Sequence, residues 1–425
     1  MKVLVVGSGG REHALVWKLK KSRKVSQIFC APGNDGIGQD ARCVGIKADN
    51  IKGLADFAAR EGVALTIVGP EVPLSLGIAD EFHRRRLKIF APGRKAAQLE
   101  SSKVFAKEFM RKYHIPTAPF RVFSVPAEAI GFCRAVEYPV VIKADGLAAG
   151  KGVAVAHNFK EATRAIEDFM VRKVFGQAGD RVVVESFLAG QEVSVMSLTD
   201  GKAIRPFLPS QDHKQAYDGD KGPNTGGMGA YCPTSFTPRP VMEEIMEHIL
   251  LPTVAGLVKE KITYKGVLYA GLMITPFGPK VLEFNCRFGD PETQAVLPLL
   301  RSDLLELMQA VVTGNLSAVG NLHWHHDSAA CVVMASKGYP ARCRTGAGIS
   351  GLQAAADGCL IFHSGTALRG GRWITAGGRV LGVTGIDKDL KSALKRAYQA
   401  VSKIRFEGAM YRRDIGFRAE KRVTS

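Results

Sequence analysis

The stretch IKADGLAAGKGV, residues 142–153, places a glycine-rich loop between two short apolar runs. It resembles a Walker A loop but does not match it. Three residues instead of four separate Gly146 from Gly150, and a glycine stands where Ser or Thr is required. A flexible glycine loop between two strands can still close over phosphate groups, and Lys143 and Lys151 would add positive charge. Because a purely structural hairpin would not need these glycines and lysines together, the stretch predicts a lid over a phosphate ligand.

On both sides of this loop, the sequence predicts further strands and helices. The runs YPVVIKADG, KGVAVA and DRVVVESFL predict strands around a helix at about 160–171, and SSKVFAKEFMRKY predicts a helix that begins at a capping serine. The segment QEVSVMSLTDGKAIRPFL predicts a hairpin that turns at Asp200-Gly201, and YKGVLYAGLMITPFGPKVLEFN predicts another. Between the hairpins we expect a long glycine-rich loop, SQDHKQAYDGDKGPNTGGMGAY, and a helix near 239–260.

The first hundred residues alternate between apolar runs and helical patterns. KVLVV, QIFCAPGN, LTIVGPE and LKIFAPG predict strands that end in Gly/Pro turns, and REHALVWKLKKS predicts a helix. Such alternation predicts a parallel sheet with crossover helices. Ligands of these sheets gather at the carboxyl ends of the strands. We therefore expect Gly7–Arg11, Pro32–Asn34 and Gly69–Glu71 to lie along one rim.

The turn GSGGREH, which follows the first strand, is a candidate anion site. A glycine-rich turn into a helix exposes backbone N–H groups, and the helix dipole favours negative charge there. Gly7 and Gly9 fit the G-x-G-x-x-G dinucleotide fingerprint, but Glu12 stands at its third glycine. We therefore expect a smaller phosphate than NAD, with a plain tight turn as the alternative.

The stretch VLEFN, residues 281–285, has the alternation of a half-buried strand. Glu283 and Asn285 are expected on one face, and Leu282 and Phe284 on the other. An acid and an amide side by side offer the oxygen ligands that Mg²⁺ prefers, together with substrate phosphates. The strand therefore predicts a magnesium site.

Arg287 continues the polar face beyond the end of this strand. A guanidinium there could stabilise charge on a phosphoryl group in transit. A structural salt bridge between Glu283 and Arg287 is the alternative. That alternative does not explain Asn285, nor the following Asp290 and Glu292.

Size and composition place the chain among multidomain globular proteins. Its 425 residues predict two to four domains, with 46% hydrophobic and 23% charged residues. No apolar run approaches the length of a membrane span, and the N-terminus lacks the pattern of a signal peptide. The eight cysteines are scattered without a C-x-x-C pair, which favours free thiols in a reducing cytoplasm.

The net charge of +18 is strongly basic, and the last quarter of the chain carries much of it. From Gly320 to Ser425 there are 17 Lys and Arg against 7 Asp and Glu, a net charge of +10. No aromatic-interleaved basic motif accompanies this charge. A solvated basic surface that attracts anionic small molecules is therefore favoured over nucleic-acid binding.

Seven motifs, taken in order, carry a resemblance to one family. GSGGREHAL, PGN, GPE, IKADGLAAGKGV, SQDHK, GPNTGGMGAY and EFNCRFGDPET occur in the order seen in the phosphoribosylamine–glycine ligase family. These are ATP-grasp enzymes of purine synthesis, also called glycinamide ribonucleotide synthetases. The resemblance runs from Met1 to RRDIGFRA near the C-terminus, and SQDHK with GPNTGGMGAY is its most specific part.

The resemblance implies a fold that combines α/β and α+β parts. An N-terminal Rossmann-like (pre-ATP-grasp) domain with a parallel sheet would span residues 1–101. An ATP-grasp domain would span 102–325, with a small lid subdomain at about 123–190. A C-terminal mixed α/β domain would span 326–425.

The resemblance also implies a nucleotide and metal site. ATP would lie between two antiparallel sheets, with Glu185, Ser186, Phe187 and Leu188 along the adenine and Glu192 at the ribose hydroxyls. Glu283 and Asn285 would hold Mg²⁺ or Mn²⁺. Residues implied around the phosphates are Lys103, Lys143, Gly146, Gly150, Lys151 and Gly152. Residues implied in catalysis are Arg287, Lys143, Asp290 and Asp212.

For the substrates, the resemblance implies glycine and 5-phosphoribosylamine. ATP would convert the glycine carboxylate to glycyl phosphate, which the amine then attacks, either with Asp290 or His213 as a general base or without a general base. We expect a cytoplasmic monomer that binds neither nucleic acid nor membrane. The residues implied at the substrates are Gly9, Gly10, Arg11, Asn34, Pro70, Glu71, Asp212, His213, Lys214, Gly227, Met228 and Gly229.

Two positions depart from residues that are often acidic in the family, namely Ser186 and Gln191. Both adjoin the nucleotide hinge, where backbone groups recognise the base, so we expect little effect. Three alternatives remain open: a different ATP-grasp ligase or carboxylase, a nicotinamide oxidoreductase, and a basic nucleic-acid binder. SQDHK and GGMG oppose the first, Glu12 opposes the second, and only net charge supports the third.

Overall fold

The computed structural model describes residues 1–148 and 152–419. Its N-terminal part contains a five-stranded sheet in the order β3-β2-β1-β4-β5, in which every pair is parallel. The strands are β1 (Lys2–Gly7), β2 (Gln27–Pro32), β3 (Arg42–Cys43), β4 (Leu65–Val68) and β5 (Ile89–Phe90). The helices are α1 (Gly10–Leu19), α2 (Ile51–Glu61), α3 (Glu71–Ser75), α4 (Ile78–Arg84) and α5 (Gln98–Ser101). The predicted parallel sheet is confirmed.

Alternate residues of β1 enter two different hydrophobic clusters. Val3 and Val5 pack in one cluster with Leu15 of α1, and Leu4 packs in the other with Leu54 of α2. Both faces of the sheet are therefore covered, as a parallel sheet requires. The loops after β1, β2 and β4 meet at one edge, where the N–H groups of Gly33 and Gly69 donate to the carbonyls of Gly7 and Val6.

The next part of the chain begins with α6 (Lys103–Lys112), and the predicted serine cap is confirmed. The Ser102 hydroxyl accepts a hydrogen bond of 3.0 Å from the Phe105 N–H. An antiparallel four-stranded sheet follows in the order β6-β9-β7-β8, with its own hydrophobic core. Its elements are β6 (Phe120–Phe123), α7 (Pro126–Cys133), β7 (Val140–Ala144), β8 (Val153–Ala156), α8 (Phe159–Ile166) and β9 (Val182–Ser186).

The following strands belong to two larger sheets, except β13 and β14, which pair with each other in a two-stranded sheet. They are β10 (Gln191–Thr199), β11 (Ile204–Pro206), β12 (Gln211–Asp212), β13 (Gln215–Tyr217), β14 (Lys221–Asn224), β15 (Gly229–Cys232), β16 (Gly266–Thr275) and β17 (Gly278–Asn285). One antiparallel sheet has the order β11-β10-β16-β17 and contains both predicted hairpins. The segment predicted as a long loop instead supplies β12 to β15, because its polar, glycine-rich sequence lacks the apolar alternation by which strands are recognised.

Helices pack against these sheets, and the last hundred residues complete the second one. The predicted helix near 239–260 is α9 (Arg239–Ile245) and α10 (Leu251–Lys259), joined by a π-helical turn. The later elements are α11 (Glu292–Leu299), α12 (Leu304–Thr313), β18 (Ser328–Ala335), α13 (Leu352–Ala355), β19 (Cys359–His363), β20 (Thr366–Arg369), β21 (Arg372–Thr375), β22 (Arg379–Asp387) and α14 (Leu390–Lys403). The second sheet has the order β12-β15-β18-β22-β19. Two strands that precede residue 326 therefore belong to the C-terminal sheet.

Among the described residues, no helix combines the length and apolarity needed to cross a membrane.

Candidate functional site

A cleft of about 910 Å³ lies between the four-stranded lid sheet (β6 to β9) and the β10–β16–β17 sheet. Its walls include residues from the N-terminal rim, from both sheets and from the C-terminal part of the chain. The cleft therefore brings together side chains that are up to four hundred positions apart in sequence. The predicted site residues that line it are Arg11, Pro70, Glu71, Lys103, Lys143, Gly152, Glu185, Ser186, Phe187, Leu188, Glu192, Asp212, Lys214, Glu283, Asn285, Arg287 and Asp290.

Two of the lysines that were predicted to bind phosphate lie next to the start of the glycine loop. Lys143, on β7, has its Nζ 2.5 Å from Glu185 Oε1 and donates to the Leu282 carbonyl at 2.9 Å. Lys103, at the start of α6, donates to the carbonyl of Gly146 at 2.9 Å. The other predicted loop residues, Gly150 and Lys151, lie outside the described residues.

The predicted adenine hinge follows the lid strand β9. Glu185, Ser186, Phe187 and Leu188 border the cleft in succession. The side chain of Glu185 is buried and forms ion pairs with Lys107 and Lys143. Glu192, on β10, faces the Lys214 amino group at 3.2 Å.

The predicted metal ligands lie on β17, where a β-bulge changes the expected alternation. Gly271 pairs with Glu283, whereas Leu272 pairs with Val281, so Leu282 is the extra residue. Leu282 and Glu283 both line the cleft and are half-buried, whereas Val281 and Phe284 are buried in the core. The prediction that Leu282 faces away from Glu283 is therefore wrong, because the bulge shifts the register by one residue.

The charge state of Glu283 suits a divalent cation. Burial opposes its ionisation, but Lys214, Lys103 and Lys143 outweigh burial and lower the pKa of Glu283 to about 2. Its side chain remains 36% exposed, and Lys214 Nζ is 3.9 Å from Oε1. The ionised carboxylate and the amide oxygen of Asn285, which also accepts from Arg287, are two hard oxygen donors on residues that line the cleft, and such donors fit Mg²⁺ together with water and phosphate.

Arg287 forms the centre of a buried charge network next to the metal ligands. Its Nη2 lies 2.9 Å from Glu100 Oε1 and donates to Asn285 Oδ1 at 3.2 Å, and its Nε lies 3.4 Å from Glu71 Oε2. Burial opposes the charged form of Arg287, but Glu100 and Glu71 raise its pKa overall. This network fixes the guanidinium of Arg287 beside the predicted metal ligands.

Asp290 is paired with an arginine of the C-terminal sheet. Arg379 Nη2 lies 2.9 Å from Asp290 Oδ2, and Gln294 donates to Oδ1 at 2.7 Å. Arg379 also donates to the carbonyls of Gly226 and Asp290. Burial opposes ionisation, but Arg379 and Arg11 lower the pKa of Asp290 overall, which makes it a weak proton acceptor.

Asp212 and His213 differ sharply in their surroundings. Burial, together with the nearby carboxylate of Glu292, raises the pKa of Asp212 well above its usual value. His213 is buried; its Nε2 accepts from the Gly416 N–H at 3.0 Å, and its Nδ1 lies 3.3 Å from the Gly229 carbonyl. Burial first, and then nearby arginines, lower the pKa of His213 to about 4. His213 thus joins distant segments, while Asp212 lines the cleft.

The N-terminal rim is held together by side chains of its own. Glu12 folds back so that its Oε2 accepts from the Gly9 N–H at 2.6 Å, and Arg11 donates to its Oε1 at 2.6 Å. A Cβ at Gly10 would lie 2.5 Å from Ser364 Oγ, so Gly10 packs on the C-terminal part. Asn34 donates to the carbonyls of Ser8, His363 and Ser364.

The glycine segment before β15 lies just behind the cleft. Gly227 has φ +105°, and a Cβ there would lie 2.3 Å from Pro291 and 2.7 Å from Asp212 Oδ1. Met228 is buried, and its backbone pairs with His213 and Val333. A Cβ at Gly229 would lie 2.7 Å from the Cys331 carbonyl. These residues hold Asp212 in place, and their predicted contact with substrate stays a prediction.

The cleft contains residues to which the sequence analysis gave no role, and Lys107, Glu292, Glu100, Tyr269 and Arg379 are among them. Lys107 follows Lys103 by one helical turn, so helical periodicity could have identified it. Glu292 belongs to the quoted motif EFNCRFGDPET, but the sequence analysis assigned no role to it. The remaining three are Glu100, Tyr269 and Arg379, which local sequence does not distinguish from ordinary core or surface residues.

Comparison with known families gives consecutive matches along the chain. Family models described as phosphoribosylglycinamide synthetase match residues 1–100 (N domain), 101–293 (ATP-grasp (A) domain) and 329–418 (C domain). A curated protein from Caldanaerobacter subterraneus named phosphoribosylamine–glycine ligase is 50% identical over 415 residues, which cover 98% of this chain and 99% of that protein.

Solved structures show the same architecture. A crystal structure of phosphoribosylamine–glycine ligase from Thermotoga maritima has a TM-score of 0.85 at 33% identity, covering 98% of this chain and all of that one (100%). The biotin carboxylase domain of Hydrogenobacter thermophilus 2-oxoglutarate carboxylase, solved with MgADP and bicarbonate, has a TM-score of 0.74 at 15% identity, covering 96% and 91%. The second likeness concerns the fold alone. Together with the family match, these structures confirm the predicted ATP-grasp fold.

Proposed function

This chain belongs to the phosphoribosylglycinamide synthetase family, and we propose from that membership how its own residues perform the family's reaction. The family's enzymes ligate glycine in purine biosynthesis, so the chain is an ATP-dependent ligase that forms a C–N bond. The residue roles below are proposals, and their support is the convergence of Lys103, Lys143, Glu283 and Arg287 on one cleft.

The reaction needs activation because an amine does not attack a carboxylate, which is negatively charged and lacks a good leaving group. We infer that the glycine carboxylate takes the terminal phosphoryl group of ATP to give glycyl phosphate and ADP. The amine of 5-phosphoribosylamine then attacks the acyl carbon, and phosphate leaves. The products are glycinamide ribonucleotide, ADP and phosphate.

The phosphate groups are assigned to the positive end of the cleft. Lys103 and Lys143 hold the nucleotide phosphates, and Arg287 offsets charge on the phosphoryl group during transfer. Glu283 and Asn285 would hold Mg²⁺, or Mn²⁺ in its place, and the ion would offset negative charge on the phosphates. The MgADP bound to the biotin carboxylase relative supports this use of nucleotide and metal in the shared fold.

The adenine is assigned to the hinge that follows β9. Glu185, Ser186, Phe187 and Leu188 would contact the base, and Glu192 the ribose hydroxyls. Glycyl phosphate reacts readily with water, so a cover over the cleft is physically necessary. The strands β7 and β8, with the described loop residues Leu147, Ala148 and Gly152 that line the cleft, would contribute to that cover.

The second substrate, 5-phosphoribosylamine, is assigned to the part of the cleft away from the adenine hinge, at the N-terminal rim with Arg11, Pro70 and Glu71. For the proton that the attacking amine loses, Asp212 is the preferred acceptor. The pKa of Asp212 is raised by burial and by Glu292, whereas that of Asp290 is lowered by Arg379. A carboxylate with a raised pKa accepts a proton more readily at neutral pH.

The cellular setting remains a proposal. All eight cysteines lie among the described residues and are unpaired, which supports a reducing cytoplasm. We propose a monomer that binds small molecules, with the basic surface attracting anionic substrates.

The decisive experiment measures ADP release with glycine present and phosphoribosylamine generated in situ. We expect release that requires ATP, Mg²⁺, glycine and the amine together. Substitution of bicarbonate for glycine, with no amine, is the control for a carboxylase-like activity. ADP release that is indifferent to glycine, or that is supported by bicarbonate, would contradict the proposed function.

A further inference from the structure

Beneath the nucleotide end of the cleft, one buried carboxylate faces two lysines. Glu185 Oε1 pairs with Lys143, and Glu185 Oε2 pairs with Lys107. The side chains of Glu185 and Lys107 are each 2% exposed, and that of Lys143 is 7% exposed. Three charges are therefore gathered in a nearly dry space, and one positive charge exceeds what the carboxylate needs.

Both lysines are also tied to consecutive carbonyls of β17. Lys143 donates directly to the Leu282 carbonyl at 2.9 Å. Lys107 donates to Thr117 Oγ1 at 2.7 Å, and Thr117 in turn donates to the Val281 carbonyl at 2.6 Å. The network therefore links α6 and the lid strands β7 and β9 to the strand that carries the proposed metal ligands.

The two lysines differ in what they can do when a nucleotide arrives. Lys143 lies at the base of the glycine loop, where the proposed function assigns it to the phosphates, so it must loosen its contact with Glu185. A buried carboxylate left without a counter-ion is costly. Lys107 is held in place by Thr117, and it can remain with the carboxylate while Lys143 moves.

We propose that Lys107 is a positioning residue for nucleotide binding: as the second counter-ion of Glu185, it allows Lys143 to turn from that carboxylate to the nucleotide phosphates. This inference rests on the proposed nucleotide site and goes beyond it, because it assigns a role to a residue that acts through Glu185. The direction of the shift in the pKa of Lys107 is consistent with this role. Burial, and then repulsion by Lys143, lower the pKa of Lys107 to about 8, so movement of Lys143 towards the phosphates favours charged Lys107.

A double-mutant cycle with Lys107→Met and Glu185→Gln tests the proposal by titration calorimetry with a non-hydrolysable ATP analogue. In the wild-type background, Lys107→Met is expected to weaken binding about tenfold, because Lys143 becomes the sole counter-ion of Glu185. In the Glu185→Gln background, the same change is expected to alter binding less than about threefold, since no carboxylate then retains Lys143. The KM for glycine is expected to change less than about threefold, a split that general loss of structure would not give.

Every outcome of these binding measurements either supports or overturns the proposed role of Lys107. A tenfold loss in both backgrounds would mean that Lys107 contacts the nucleotide directly, and no loss in the wild-type background would mean that Lys107 has no part in binding; either overturns the proposal. Where Lys107→Met does not fold, the Glu185→Gln background decides, because it contains no unpaired carboxylate: affinity within threefold of Glu185→Gln supports the proposal, and a tenfold loss overturns it. Lys143→Ala separates this inference from the nucleotide site itself. If that variant binds the analogue normally, the assigned phosphate site is wrong; if it binds weakly while Lys107→Met binds normally, only the role of Lys107 is wrong.

Discussion

Replacing Glu283 by glutamine tests the metal site with the smallest change of shape. The variant keeps one oxygen donor and removes the negative charge that faces Lys214, Lys103 and Lys143. We expect Mg²⁺-dependent turnover to fall about 100-fold or more, equivalent to about 2.7 kcal/mol of lost transition-state stabilisation. The fold is expected to survive, because this carboxylate serves a ligand.

The structure also bounds the effect of this change on stability. The pKa of Glu283 is lowered to about 2 by its cationic neighbours, against the effect of burial. Its side chain is 36% exposed, and the nearest of those cations lies at 3.9 Å, so solvent screens much of the attraction. We therefore expect the free energy of unfolding to change by no more than about 1 kcal/mol. We therefore expect turnover to fall about 100-fold while the free energy of unfolding changes by no more than about 1 kcal/mol.

The assay couples ADP release to NADH oxidation across a Mg²⁺ titration, with phosphoribosylamine generated in situ, and follows unfolding by calorimetry. Glu247→Gln, an exposed position on the π-helical turn after α9, is the matched control and should retain full turnover. Unchanged turnover and Mg²⁺ dependence in Glu283→Gln would refute the metal assignment. A large loss of stability in parallel with activity would show that the carboxylate is structural.

Three further predictions concern the same cleft. Lys143→Ala should weaken binding of a non-hydrolysable ATP analogue about tenfold in titration calorimetry, and equal affinity would count against the phosphate assignment. Arg287→Lys should lower kcat about 100-fold with little change in the KM for ATP, because an ammonium cannot hold Glu100 and Asn285 together; steady-state kinetics would expose a wrong assignment as a near-normal kcat. His213 has a folded-state pKa of about 4, below the value in an unfolded chain, so its contribution to stability is present above about pH 6.5 and is lost as the pH falls towards 4. Between pH 7 and 5, this group alone should cost about 2 kcal/mol, and His213→Gln should show a shallower loss in denaturant unfolding; parallel curves would contradict that reasoning.

Local sequence was sufficient for the elements whose pattern is repeated along the chain. The strand–turn–helix order of the first hundred residues predicted the parallel sheet and its rim, because apolar runs that end in glycine turns have few other stable arrangements. The serine at 102 and the turn at Asp200-Gly201 marked a helix start and a hairpin for similarly local reasons. The bulge at Leu282 was not predictable, because it depends on the register with β16.

Contacts between segments that are far apart in the chain could not be predicted from local sequence patterns. The strands β12 and β15 looked like a polar loop, because β15 pairs with β18 of the C-terminal part and β12 pairs only with β15. His213 was expected near the amine, but it accepts from Gly416, 203 positions away. Arg379 meets Asp290 across 89 positions, and this ion pair lowers the pKa of an expected base.

By itself, the sequence determined the identity and order of the groups that can carry the chemistry: a glycine loop with its lysines, an acid and an amide on one strand, and an arginine just beyond them. Hydrophobic periodicity and turn residues act within a few positions, so they could be recognised without knowing the fold. Only the tertiary structure decided which of those groups are charged, paired or open to a ligand. That outcome depends on burial and on ions from distant parts of the chain, as the shared Glu185 carboxylate between Lys107 and Lys143 demonstrates.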